Sequence, residues 1–285
     1  MKRLLCDIVA LAMAVDAPTS AATTAPIQLG TAHQIASKEL NETRVINVVL
    51  PASYAKEPTR RYPVVYLIDG GVDQDLLHVT GTVHLGALWG RSQEAIVVGV
   101  ETRDRRRELT GPTRDPALLK KYPTAGKSAA YRAYLRDEVK PLVARSYRTS
   151  GRDIVVGESL AGLFIVETWL AEPTLFGGYG AISPSLWWDG EALSKTVAAR
   201  IGKGRSGHPL YLTIANEGAE MQAGVDRLVT GLRGAAKEWC YAPRPDLTHA
   251  TIYHTVLPTA LQILLPPAEA PASEFGFEVK CSAKG

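Results

Sequence analysis

The sequence predicts an α/β fold built on a largely parallel sheet that is covered on both faces. Three observations predict it. Its extended segments are continuous apolar runs rather than alternating ones: residues 63–68 (PVVYLI), 95–100 (AIVVGV), 154–156 (IVV) and 210–215 (LYLTIA). Strands buried on both faces read this way. Helical patterns separate these runs, as they do where parallel strands are joined by crossovers. Finally, Ile154-Val155-Val156 leads through Gly157-Glu158-Ser159-Leu160-Ala161-Gly162 into the apolar Leu163-Phe164-Ile165-Val166. That is the pattern of a sharp strand-to-helix elbow with a serine at its tip. Small residues are needed there because the start of the helix lies close to the end of the strand.

The first residues read as a secretory leader over 1–25. Lys2-Arg3 is a short positive region, Ile8 to Val15 is apolar, and Ala- and Thr-rich sequence follows to about Ala25. Asp7 and Asp16 interrupt the pattern, and no single cleavage site stands out. Residues 26–285 are then one domain, a length at which a single large core is usual. Residues 43–50 form a strand that Pro51 ends. The 63–68 strand is broken by Asp69-Gly70-Gly71, and the 95–100 strand follows. Residues 104–128 are loop-rich. From Ala129 to Val143, Tyr131, Tyr134, Leu135, Val139, Leu142 and Val143 share one helical face. A helix runs from Gly162 to Ala171 ahead of Pro173, and a second loop-rich stretch covers 183–207. Met221 to Leu232 is an amphipathic helix, and Thr255 to Leu265 is the last, closed by Pro266-Pro267. Alternation at Phe275, Phe277 and Val279 suggests a late edge strand. There is no internal repeat.

A net charge of +3 is too small to imply a nucleic-acid partner. The densest basic run, Arg103, Arg105, Arg106 and Arg107, is interrupted by Asp104, followed by Glu108 and free of aromatic residues. It reads as a solvated loop, or as a contact for an anionic substrate group. Beyond the leader no stretch has the apolar length of a membrane span. The cysteines, Cys6, Cys240 and Cys281, form no CxxC pair, and the histidines form no HExxH. Neither a metal nor a cofactor is called for. Removal of the leader would leave Cys240 and Cys281 as a pair that an oxidising compartment could join, or as two free thiols.

A serine hydroxyl needs a base to take its proton and a third group to orient that base. Hydrolases with a strand-to-helix elbow order these along the chain as serine, acid, histidine. Here Ser159 follows one strand, Glu217 follows the strand 210–215, and His249 precedes the last helix. All three would lie beyond the carboxyl ends of strands, where open α/β sheets bind ligands. Glu220 is the alternative acid. His208 precedes a strand rather than following one, whereas His254 is too close to His249 for spacing to separate them. An oxyanion would need two donors. One is the backbone N–H of Leu160, and the other comes from Gly70-Gly71-Val72, with Gly71 ahead of Val72.

Several stretches between Ser37 and Leu265 resemble one family. They are Ser37-Lys38-Glu39-Leu40-Asn41-Glu42-Thr43-Arg44, Val49-Leu50-Pro51-Ala52-Ser53-Tyr54, and Tyr62 to Gly70. They continue with Leu135 to Pro141, Tyr147-Arg148-Thr149 and, most specifically, Phe176 to Trp188 (FGGYGAISPSLWW). Together they resemble the esterase family of α/β-hydrolases that includes bacterial siderophore-ester hydrolases and relatives of S-formylglutathione hydrolase. The resemblance implies an α/β-hydrolase fold, Ser159 as nucleophile and His249, rather than His254, as base. It favours Glu217, four residues before Met221, as the acid, although some siderophore esterases of the family use a serine–histidine pair. The family commonly has G-H-S-x-G-G, whereas this chain has Glu158 before the serine and Ala161 for the first trailing glycine. Alanine is small enough for the elbow. A carboxyl at 158 near the histidine would raise its pKa.

These readings converge on a serine carboxylesterase without a cofactor, acting on a small-molecule ester and placed by its leader in the periplasm or outside the cell, or otherwise in the cytoplasm. A siderophore-like ester is one candidate substrate. Trp187 and Trp188 would wall the substrate site or pack in the core, and Arg103 and Arg107 would meet an anionic group. An acyltransferase of the same fold, or a binding protein that has kept the pocket and lost the chemistry, are the alternatives.

Overall fold

A computed structural model of the protein describes residues 23–201, 208–233 and 238–285. The leader expected over residues 1–25 therefore falls almost entirely outside the described residues. Nine strands form one sheet in the order β1-β2-β4-β3-β5-β6-β7-β8-β9. They are β1 (Thr31–Ser37), β2 (Glu42–Val49), β3 (Tyr62–Ile68), β4 (Ile96–Val100), β5 (Thr149–Glu158), β6 (Tyr179–Ile182), β7 (Leu210–Thr213), β8 (Trp239–Tyr241) and β9 (Ala283–Lys284). From β4 to β8 all neighbours are parallel, while β1, β2 and β9 add antiparallel edges.

The continuous apolar runs are explained by burial on both faces. In β3 every residue is buried. Val64, Tyr66 and Ile68 enter one core, while Val65 and Leu67 enter the other. The helices are α1 (Leu76–Leu88), α2 (Arg105–Leu109), α3 (Pro116–Lys121), α4 (Ser128–Tyr134), α5 (Lys140–Ser146), α6 (Leu160–Ala171), α7 (Trp188–Lys195), α8 (Val197–Ile201), α9 (Ala219–Leu232) and α10 (His249–Leu264). A π-helical turn over Leu135–Val139 joins α4 to α5. Tyr131, Phe164 and Val225 place α4, α6 and α9 in the first core, whereas Leu76, Val79, Ile252 and Val256 place α1 and α10 in the second. This is the expected α/β-hydrolase architecture.

Three departures bear on the site. The last helix begins at His249 instead of Thr255, because Thr248 caps it reciprocally with Thr251. Pro258 lies inside that helix. The loop-rich stretches 104–128 and 183–207 contain the short helices α2, α3, α7 and α8. The late edge strand expected over 275–279 is absent. Ser273–Phe275 is a 3₁₀ turn, and Gly276, at φ +65°, turns the chain out of an extended path. The outer partner of β8 is instead β9, reached just after Cys281. Cys240 in β8 and Cys281 are joined by a disulfide with a Cα–Cα separation of 5.3 Å, one of the two alternatives left by the sequence.

Candidate active site

Ser159 stands between β5 and α6 at φ 63°, ψ −118°, a conformation that residues with a Cβ rarely hold. Its surroundings hold it there. The Ser159 N–H donates to the Ile182 carbonyl at 3.0 Å, and its own carbonyl accepts the N–H groups of Leu163 (2.9 Å) and Ser185 (3.0 Å). Glycine is required on either side. A Cβ on Gly157 would lie 2.6 Å from the Ala161 methyl, and one on Gly162 would lie 2.9 Å from the Ile182 carbonyl oxygen. Ala161 is accommodated because position 157 carries no side chain.

Glu217 follows β7, and His249 is the first residue of α10. The His249 Nδ1 lies 2.8 Å from the Glu217 Oε2, and the other carboxylate oxygen accepts from the Ser183 hydroxyl. A carboxylate accepts only, so Nδ1 carries the proton and Nε2 is left as the basic nitrogen. Burial would raise the Glu217 carboxyl, but the hydrogen bonds from His249 and Ser183 outweigh it and hold it below its ordinary value. The same hydrogen bond, donated by His249 to Glu217, raises His249 against burial, and the charge of Glu158 adds to the rise.

Ser159, Leu160, Glu217 and His249 line one cleft of about 380 Å³ together with Ser185, Trp187, Arg105 and Arg106. The Ser159 Oγ lies 3.2 Å from the Ser185 Oγ. A larger apolar groove of about 460 Å³, between α1 and β2, contains none of these groups. Glu220 is exposed at the start of α9 and makes no hydrogen bond to His249 among the described residues. His254 packs against the ring of His78, 4.9 Å between centroids, and His208 precedes β7.

Five expected site residues are not among those lining the cleft. The Gly71 N–H donates to the Gln74 Oε1 at 2.8 Å, because the Gln74 carboxamide folds back over the turn and is itself held by the Thr102 carbonyl at 2.9 Å. Val72, next in the turn, is exposed. Trp188 is buried, with its indole N–H on the Gly111 carbonyl at 3.0 Å, so of the two tryptophans only Trp187 reaches the cleft. Arg107 is turned to the other side of α2, where it pairs with Glu42 (2.6 Å) and Glu108 (2.7 Å). Glu108 is buried and also holds the fully buried Arg44 at 2.8 Å. Arg103 is exposed and lies outside the cleft, with its backbone N–H on Glu108.

The anchoring of α2 by Glu108 brings Arg105 and Arg106 to the cleft in their place. Arg105 pairs with Asp69 at 2.9 Å, and Arg106 lies over the rings of Tyr122 (4.4 Å) and Trp187 (5.5 Å). The basic run was visible in the sequence, but which arginines faced inward depended on a buried ion pair to β2. Ser183 and Ser185 were within the segment that resembled the family, without a role assigned to either.

The family model described as Esterase ("Putative esterase") matches residues 37–216, more than half of the chain. The chain belongs to this esterase family. Among curated relatives, the ferri-bacillibactin esterase BesA of Bacillus subtilis is 30% identical over 169 residues, 52% of this chain and 56% of the relative. A siderophore triacetylfusarinine C esterase of Aspergillus fumigatus is 26% identical over 184 residues, 58% of this chain and 59% of the relative. The chain thus spans somewhat over half the length of the curated relatives it matches. Among solved structures, an IroE-like serine hydrolase from Shewanella oneidensis superposes with a TM-score of 0.72 at 24% identity, covering 82% of this chain and 79% of the other. The siderophore hydrolase EstB of Aspergillus nidulans gives 0.72 at 18%, over 90% of this chain and 100% of the other. These likenesses establish the α/β-hydrolase fold.

Proposed function

We propose that the protein is a serine hydrolase that cleaves carboxylic esters through an acyl-enzyme on Ser159. The observation that carries this reading is the Glu217–His249 hydrogen bond of 2.8 Å in the same cleft as a serine on a strained elbow. The Ser159 Oγ attacks the ester carbonyl while His249 Nε2 takes its proton. As the tetrahedral intermediate collapses, the bond from carbon to the alcohol oxygen breaks, and His249 returns the proton to the leaving alcohol. Water, activated by the same nitrogen, then releases the acid. Glu217 orients the imidazole and stabilises its charged form. The Leu160 N–H supplies one oxyanion donor. The turn after β3 supplies the second, from Val72, or from Gly71 once a substrate displaces the Gln74 carboxamide.

The substrate class follows from the rest of the cleft. Arg105, Arg106 and Trp187 present cationic and aromatic surface to whatever is bound beside Ser159. The relatives named as siderophore esterases make a siderophore-like ester the leading candidate. The Cys240–Cys281 disulfide and the leader-like first residues support a periplasmic or secreted site of action. The test is a panel of esters on the purified protein: a siderophore lactone, and aryl esters of short and long acyl chains. Hydrolysis that disappears in Ser159→Ala supports the reading, whereas turnover that persists in that variant overturns it. Preference for the lactone over neutral aryl esters, lost in Arg106→Ala, supports the substrate class.

A further inference from the structure

Ser185 lies at the reaction centre, and the triad chemistry gives it no task. It belongs to the turn Ser183-Pro184-Ser185, which leads from β6 towards α7. Its Oγ lies 3.2 Å from the Ser159 Oγ, and both residues line the same cleft. Ser185 is buried, at 3% exposure. Among the described residues, the Ser159 Oγ is the one hydrogen-bond partner of its hydroxyl. The backbone joins the same pair. The Ser185 N–H donates to the Ser159 carbonyl at 3.0 Å, and the Ser185 carbonyl accepts from the Trp188 N–H at 3.2 Å. The flanking residues are wedged against helices. A Cβ on Gly162 of α6 would lie 3.0 Å from the Pro184 Cα, and one on Gly224 of α9 would lie 2.8 Å from the Leu186 Cβ. Ser185 is thereby held against the elbow. Two residues earlier, the Ser183 hydroxyl donates to Glu217. One turn thus touches both the serine and the carboxylate that pairs with His249.

We propose that Ser185 is a positioning residue whose hydroxyl donates to the Ser159 Oγ and holds that oxygen in its reactive orientation. The proposal rests on the reading of Ser159 and His249 as nucleophile and base. A serine side chain can place its Oγ in several staggered positions, and the bond to Ser185 favours one of them. A hydroxyl has a single proton to give and lone pairs that accept. The Ser159 proton must point at His249 Nε2 if that nitrogen is to take it, which leaves an Oγ lone pair to accept from Ser185. As the Ser159 O–H bond breaks, the proton passes to Nε2 and an electron pair on Oγ forms the bond to the ester carbonyl carbon. In the second half of the reaction, water adds to the acyl carbon and the bond from that carbon to Oγ breaks. The electron pair returns to Oγ, and His249 gives it the proton. Ser185 keeps its own proton throughout. Its hydrogen bond is strongest while Oγ carries most negative charge, because a charged acceptor strengthens the bond.

The experiment compares the full chain with Ser185→Ala, which removes the hydroxyl, and Ser185→Thr, which keeps it. Each protein is treated with a fluorophosphonate, and the rate of adduct formation on Ser159 is followed by mass spectrometry. Steady-state hydrolysis of an aryl ester and thermal melts are recorded on the same samples. Ser185→Ala is expected to slow labelling about tenfold and to lower kcat in similar ratio, with KM within about twofold. Ser185→Thr should bring labelling back to within about threefold of the parent rate. A slowed Ser185→Ala with an unchanged melting temperature supports the proposal even where the extra methyl of threonine prevents folding. Labelling of Ser185→Ala at the parent rate overturns it. So does a folded Ser185→Thr that labels as slowly as Ser185→Ala, since packing of the turn, rather than the hydroxyl, would then set the rate. An adduct of the parent on a residue other than Ser159 defeats the reading of the nucleophile whatever the variants do. An adduct on Ser159 that forms at one rate in all three proteins defeats the role of Ser185 alone.

Discussion

Ser159 combines an unfavourable backbone conformation with a hydroxyl that is a poor nucleophile on its own. In the proposed mechanism it depends on two partners that chain order puts forward: Glu217 after one strand and His249 before the last helix. Replacing any one should be felt chiefly in kcat. Ser159→Ala and His249→Ala are expected to lower kcat on an aryl ester by about 10³-fold or more, and Glu217→Gln by about 10²-fold or more. Glu220→Gln should leave it within about twofold, as steady-state kinetics on the purified variants would show. Stability carries its own signature of Glu158. Its carboxyl is raised in the fold, so its favourable contribution is present below the ordinary carboxylate range and is lost as pH rises through about 7. Glu158→Gln should therefore gain thermal stability relative to the parent at about pH 8 and lose that advantage at about pH 5, in melts at the two values. Glu217 has the opposite sign, since its lowered value contributes above the carboxylate range and fails on acidification. What the sequence hid at this scale was the choice between neighbours. Trp187 from Trp188, and Arg105 and Arg106 from Arg103 and Arg107, are separated only by the direction in which a short turn faces. That direction is set by the Trp188–Gly111 hydrogen bond and by the Arg44–Glu108 ion pair, both distant in sequence.

At the level of elements, the central strands announced themselves because burial on both faces leaves an unbroken apolar run. The edges did not. Strand β1 alternates between exposed and half-buried residues, and β9 has only Ala283 and Lys284. Helix α1 carries exposed Leu77, Leu85 and Leu88 beside its buried residues, so its two faces differ little in polarity. The start of α10 is also hidden in the sequence, and this matters for the site. The cap made by Thr248 and Thr251, rather than the apolar pattern, decides that the helix begins at His249. Thr248→Ala should cost about 1 kcal/mol and, by loosening the first turn, lower kcat several-fold with little change in KM. Thermal melts and kinetics on the one variant test both. The elbow is less forgiving. Gly162→Ala would drive a methyl against the Ile182 carbonyl at 2.9 Å and the Pro184 Cα at 3.0 Å. It should lower the melting temperature and displace Ser159 together.

On the scale of the whole molecule, the parallel sheet from β4 to β8 brings the chemistry to one edge, because every crossover returns each strand in the same direction. Chain order could therefore bring Ser159, Glu217 and His249 to one cleft without any distances. It could not say how the C-terminal tail is tied down, because two cysteines 41 residues apart are equally consistent with free thiols. The disulfide fastens the tail to β8. By loop length, its removal should cost about 4 kcal/mol. Cys240→Ser/Cys281→Ser should accordingly melt several degrees lower and keep its kcat at ambient temperature, since neither cysteine lines the cleft. The central claim is that Ser159 carries the acyl group. Its most direct test is labelling of the intact protein with a fluorophosphonate, followed by tandem mass spectrometry. The account predicts one adduct on the Ser159 Oγ, absent in Ser159→Ala and slowed by an ester substrate. An adduct on another residue, or unimpaired ester hydrolysis by fully labelled protein, would contradict it.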